Sequence, residues 1–153
     1  VPNPTDRSKL GSKRDNFVDA RGIPLMILVS GANRHDSKMF EECMNAIPTI
    51  TGLAGRPRKR PAKRHADKGY VFKRCRAHLR QRGIIGRIAR RGIESSERLG
   101  KHLWVVERTH SWFAGFGKLR IRFERRLDIH EVLLKLAVAT ICARVVYRWF
   151  WPV

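Results

Sequence analysis

The chain has 153 residues, the size of one ordinary domain, and 42% of them are hydrophobic, enough for a real core and too many for wholesale disorder. Lys and Arg number 33 against 13 Asp and Glu, a net charge of +20, which repels itself in a compact chain and favours a polyanionic partner, nucleic acid first. Three cysteines (Cys43, Cys75 and Cys142) without a C-x-x-C pair suggest neither a disulfide framework nor a zinc ribbon, and fit a reducing cytosol.

Residues 1–14 are polar and basic and read as an entering loop, with no signal peptide. Asn16–Ala20 and Pro24–Ser30 are short apolar runs joined by Arg21-Gly22-Ile23, which predicts an antiparallel hairpin. The second run is nearly continuous in apolar residues, as in a strand covered on both faces. Gly31–Asp36 is a loop, and Ser37–Ala46 a helix capped by Asp36 or Ser37, with Met39, Cys43 and Met44 on one face. Pro48–Arg64 is too rich in Pro and charge for a helix. Arg64–Asp67 reads as a short strand, Val71–Arg82 as a helix with Val71, Phe72, Cys75 and Leu79 at helical spacing, and Gly83–Ile88 as a further strand.

Ala89–Glu97 is a basic loop. A long helix follows over Leu99–Ala114, with Leu103, Val106 and His110 on one face, then the charged stretch Lys118–Asp128 and a terminal apolar helix over 129–150. Lys135 and Arg144 interrupt the apolar run Val132–Trp151. A spanning helix needs about 20 apolar residues, so a buried or partner-facing helix is expected and no membrane partner. The order of elements predicts an α/β domain with a mixed sheet.

Two carboxylates stand out among the few acidic residues. Asp67 sits at the end of a predicted strand just before Gly69, and Glu107 follows Val105 and Val106 within a helix. Strand ends in α/β sheets collect ligand groups because exposed loops there are held by a rigid sheet. Two carboxylates converging from separate elements suit a hard divalent cation such as Mg²⁺, which is completed by phosphate and water. For either residue alone, a solvated surface carboxylate is the commoner role.

Several blocks, in order along nearly the whole chain, sharpen this. They are Pro2-Asn-Pro-Thr-Asp-Arg7 with Lys9-Leu-Gly-Ser-Lys-Arg14, Val18-Asp-Ala-Arg-Gly-Ile-Pro24, Ser30-Gly-Ala-Asn-Arg-His-Asp-Ser37 and Arg56-Pro-Arg-Lys-Arg-Pro61. Ala66-Asp-Lys-Gly-Tyr70, Ile88-Ala-Arg-Arg-Gly-Ile93 and Trp104-Val-Val-Glu-Arg-Thr109 complete them. Together they resemble the DDE transposases of the insertion-sequence-five family, within the insertion-sequence-four type.

The resemblance implies a ribonuclease-H-like mixed sheet with flanking helices, lacking its first strand, with 1–153 as the C-terminal part of the catalytic domain. It places the second catalytic Asp at Asp67 and the catalytic Glu at Glu107, both as ligands of Mg²⁺ or Mn²⁺, two ions in the complete site. The first catalytic Asp would lie upstream of the chain, on a separate transposase segment, so the chain alone is expected to be inactive. The implied activity is metal-dependent DNA cleavage and strand transfer at insertion-sequence ends, in the cytoplasm and at the nucleoid of a bacterium. DNA and the upstream segment are the implied partners, with a homodimer as a further one. The alternative is a non-enzymatic, basic nucleic-acid-binding remnant or an inhibitor of the full transposase. Leu103 departs from the family pattern, which carries a basic residue one helical turn before the Glu, and Gly115 and Gly117 stand where basic residues are expected.

The basic residues expected against DNA are Arg58, Lys59, Arg60, Lys63, Arg64 and Lys68 near Asp67, then Arg90, Arg91 and Arg108. A solvated loop is the competing role of the first group. Lys118, Arg120, Arg122, Arg125 and Arg126 form another basic group, expected to pair in part with Glu124 and Asp128. Trp104 and Trp112 share a helix face, where core packing is commoner than base stacking.

Overall fold

The computed structural model describes residues 11–52, 54–90, 92–93 and 96–151. Its first elements are strands β1 (Ser12–Val18) and β2 (Pro24–Gly31), which pair antiparallel from Ser12 opposite Gly31 to Val18 opposite Pro24. The hairpin turn is built by Asp19, whose carboxylate accepts from the backbone N–H of Arg21 at 2.8 Å and of Ile23 at 2.7 Å. Gly22 has φ 79°, a left-handed conformation that suits glycine. β1 begins within the stretch expected to be an entering loop, because pairing with β2 carries Lys13 and Arg14 into the ladder despite their charge.

Helix α1 (Asp36–Asn45) is capped by His35, not by Asp36 or Ser37: the His35 ring accepts from the Ser37 backbone N–H at 3.2 Å. The Asp36 carboxylate is instead paired with Lys13. Strand β3 (Lys63–Ala66) ends just before Asp67, and a single 3₁₀ turn covers Lys68–Tyr70. Helix α2 (Lys73–Gln81) starts two residues later than its apolar spacing predicts, since Phe72 is held extended as the N-cap. Strand β4 (Ile85–Ile88) pairs parallel with β3.

Helix α3 (Ser96–Ala114) stops at Gly115, and the four-residue helix α4 (Gly117–Arg120) follows. Gly115 and Gly117 therefore mark a break between helices, where glycine's low helix propensity does little harm. Helix α5 (Leu127–Phe150) closes the chain. No helix among the described residues is long and apolar enough to cross a membrane.

The chain is thus a mixed α/β structure, but among the described residues the expected single mixed sheet is replaced by two separate two-stranded sheets, β1–β2 and β3–β4. Among the described residues no strand joins β1 to β3.

Two cores lie on either side of β2. Met26 packs with Phe17, with Met39, Phe40, Cys43 and Met44 of α1, and with Cys75 and Leu79 of α2. Ile27 and Val29, on alternate positions of the same strand, pack against Phe113, Leu134, Ala137 and Ile141 of α3 and α5. Successive side chains of a strand point to opposite faces, so the apolar run of β2 serves both cores. The hydroxyl of buried Thr109 lies 2.5 Å from the Gly22 carbonyl and 2.9 Å from the Val105 carbonyl, which ties α3 to the hairpin turn.

Candidate active site

Asp67 and Glu107 line one cleft of about 370 Å³, which also takes in Lys13, Asp15, Asp36 and Arg64. Four elements deliver these groups: β1, α1, β3 and α3. Asp67 leaves the end of β3, where its Oδ1 accepts the Gly69 backbone N–H at 2.9 Å and caps the 3₁₀ turn. That bond fixes the carboxylate at the strand end while the residue stays exposed. Glu107 is exposed on α3, on the side that also carries Leu103, Val106 and His110 into the cleft. With Leu103 there, the helix turn before Glu107 offers the cleft an apolar side chain, where the resemblance leads one to expect a basic one.

Asp15 and Asp36 were not singled out by sequence as site residues, yet both line this cleft. Asp15 is 7% exposed and accepts the Ser30 hydroxyl at 2.6 Å. Burial raises its pKa above the usual carboxylate value, against the lowering by Ser30 and Lys13. Asp36 approaches Asp67 around Gly69: a Cβ on Gly69 would sit 3.1 Å from Asp67 Oδ1 and 3.8 Å from Asp36 Oδ2. The alternation of β1 was the available signal for Asp15, which shares its buried face with Phe17. For Asp36 the signal was its place in the loop leaving β2, where its role as a helix cap was the simpler reading.

Among the described residues no group of three or more His, Cys, Asp or Glu side chains lies close enough to hold a metal ion. Asp67 and Glu107 are oxygen donors of the kind hard cations take.

The basic candidates separate into two groups. Arg58, Lys59, Arg60, Lys63 and Arg90 are exposed; the backbone of Arg58 bridges to Ile50, and Arg60 donates to the Arg82 carbonyl at 3.1 Å. Arg64, Lys68 and Arg108 are half-buried. Arg64 lays its guanidinium 3.5 Å from the centre of the Phe17 ring, and burial lowers its pKa to about 10. Arg108 lies over Trp104 and Trp112, 4.3 and 5.1 Å from the ring centres, and donates to the Arg21 carbonyl. Arg91 lies outside the described residues.

A wider groove of about 920 Å³ adjoins the cleft, sharing Arg14 and His110 with it and adding Arg120, Arg122, Arg125 and His130. Arg126 pairs with Asp128 at 2.6 Å, as the sequence suggested for this stretch. Arg122 instead donates to the backbone carbonyls of Glu124 and Arg125, both at 2.8 Å, which folds the loop around it. His110 and His130 both have lowered pKa values, chiefly through burial.

The family described as "Transposase DDE domain" matches residues 2–142. A Burkholderia cepacia protein described as a transposase for insertion sequence element IS402 is 50% identical over 141 residues, which cover 92% of this chain and 67% of that protein. No solved structure matches the chain significantly. With the family matched over most of its length and a relative this similar, the chain belongs to the DDE transposases.

Proposed function

We propose that the chain is the C-terminal part of a metal-dependent DNA strand-cleaving and strand-transferring domain, with Asp67 and Glu107 as two ligands of its metal site. The observation that supports this reading is that the two carboxylates, 40 residues apart in sequence, line the same cleft. A third carboxylate, from an upstream transposase segment, would complete the set.

In this reading Asp67 is held in place by the Gly69 N–H, and Glu107 is presented from a helix anchored through Thr109 to the hairpin turn. Mg²⁺ or Mn²⁺ held by such a set would activate the attacking oxygen and neutralise charge on the phosphate. Lys59, Arg60 and Lys63 are exposed, and Arg14, Arg120, Arg122 and Arg125 line the adjoining groove. These charges would draw in the DNA backbone and release its counterions. With only part of the ligand set present, the chain alone binds DNA without cutting it, and this is also the behaviour of the alternative, a binder that competes with full-length enzyme.

Mixing the purified chain with the upstream segment separates the two. Cleavage of an insertion-sequence end duplex should then appear with Mg²⁺ or Mn²⁺, and Asp67→Asn or Glu107→Gln should each abolish it. Full cleavage by either variant, or by the chain without the segment, would overturn the assignment.

A further inference from the structure

We infer that the outer face of α5 is a seam for α5 of a second copy of this chain, the two helices packing antiparallel as a short coiled coil. A helix on a protein surface ordinarily carries one apolar face. On α5 there are two. Leu134, Ala137 and Ile141 are buried in the core shared with α3. A separate series runs along the opposite side: Ile129, Val132, Leu136 and Ala139, then Ala143, Val146 and Phe150. All seven are exposed, Val132 by 61%, Leu136 by 63% and Phe150 by 71%.

The spacing names the kind of partner. Successive members stand three, four, three, four, three and four residues apart, an unbroken alternation over three heptads. That repeat keeps one apolar line facing a second helix along its whole length, whereas a helix laid on a globular core needs no such regularity. The partner is therefore a helix, matched over about 32 Å.

A second α5 fits this line in composition and in size. Two chains of net charge +20 repel wherever their basic surfaces meet. The seam itself has no charged residue, and the whole of α5 has only two acidic and three basic side chains. In a parallel pair, Ala139 would face Ala139 and Ala143 would face Ala143, two thin layers close together. Turned antiparallel, Leu136 faces Ala139, Val132 faces Ala143 and Ile129 faces Val146, so each alanine meets a larger side chain. The same register brings Asp128 and Glu131 of one copy level with Arg144 and Arg148 of the other, and it opposes the two helix dipoles. The exposed side chains of the seam, with Tyr147 at its flank, amount to roughly 600 Å² per copy, and the pair buries about 1,200 Å², enough for a specific interface.

The pairing stands apart from the nuclease reading, which uses neither α5 nor its outer face. Sedimentation velocity of the purified chain at micromolar concentration, in about 0.5 M salt to screen its charge, should show a dimer that dissociates on dilution. Leu136→Glu with Ala139→Glu sets carboxylates against each other in the facing layers and should weaken association at least about 100-fold. Both positions are exposed, so the far-ultraviolet circular dichroism should remain that of the parent. In a Cys142→Ser background, chains carrying Ile129→Cys and chains carrying Val146→Cys should join in a mixed disulfide at least about tenfold faster than either joins to itself. A monomeric parent, a dimer that survives the two glutamates, or faster joining of like chains overturns the proposal. So does a monomeric chain whose residues 129–150 gain hydrogen-exchange protection only from the upstream transposase segment, which would then be the occupant.

Discussion

Arg64 of β3 and Phe17 of β1 are in contact across the space between two strands that share no ladder, with the guanidinium 3.5 Å from the ring centre. A charged side chain here has left water for an aromatic face, and its lowered pKa of about 10 records the cost of burial. Cation–π contact returns about 0.5–2 kcal/mol, and the aliphatic stem adds apolar packing.

Arg64→Leu keeps the packing and removes the buried charge, so its stability should stay within about 1 kcal/mol of the parent or rise. Arg64→Ala loses both contacts and should cost about 1–3 kcal/mol. Urea denaturation of the two variants checks this, and a larger loss in the Leu variant than in the Ala variant would contradict it.

Gly69 controls how closely Asp67 can be held. Its backbone is not left-handed, so alanine is tolerated by the chain, but the new Cβ would lie 3.1 Å from Asp67 Oδ1 and push the carboxylate by a few tenths of an ångström. Gly69→Ala should change stability by less than about 1 kcal/mol yet lower metal-dependent cleavage by the completed enzyme about tenfold or more, since displaced ligands lose alignment. Parallel melting and cleavage assays separate the two effects.

Thr109 is fully buried, and its hydroxyl serves the Gly22 and Val105 carbonyls. Thr109→Val keeps the shape but leaves the Gly22 carbonyl without its donor, at a cost of about 1–3 kcal/mol. The loss should appear in urea denaturation together with faster hydrogen exchange in the Asp19–Ile23 turn, while Thr109→Ser should recover much of the difference.

The pH dependence follows from His110 and His130. Burial leads the causes that lower both pKa values from 6.5, with Arg14 reinforcing it in each and Arg122 also acting on His130. The unfolded chain therefore takes up protons more readily than the folded one just below pH 6.5, and stability present above that value is lost as the pH falls. The melting temperature should drop between about pH 7 and about pH 5. His130→Gln should flatten that drop even if it lowers the plateau, and an unchanged slope would rule out His130 as a source.

The apolar content of each segment made the elements legible. Pro24–Ser30 announced a strand covered on both faces, and β2 is that strand, split between two cores. The helix containing Met39, Cys43 and Met44 was equally plain. What escaped were features decided by partners distant in sequence. Lys13 and Arg14 look like loop residues until β2 is laid beside them, and Asp36 looks like a cap until Lys13 takes its carboxylate and leaves His35 to do the capping. Asp67 and Glu107 were singled out through the motif blocks around them, and the cleft that both line is a relation in space that neither block contains. Asp36 lies in the Ser30–Ser37 block and Asp15 directly after the Lys9–Arg14 block, but neither block marked them as site residues, so only the fold could bring them to the same cleft.

The double duty of β2 has a thermodynamic consequence. Because Met26 faces one apolar cluster and Ile27 and Val29 the other, neither cluster can come apart without stripping a wall from its neighbour. The two halves of the molecule are thereby obliged to melt as one unit, and a weakness introduced at α5 is felt as far away as α1.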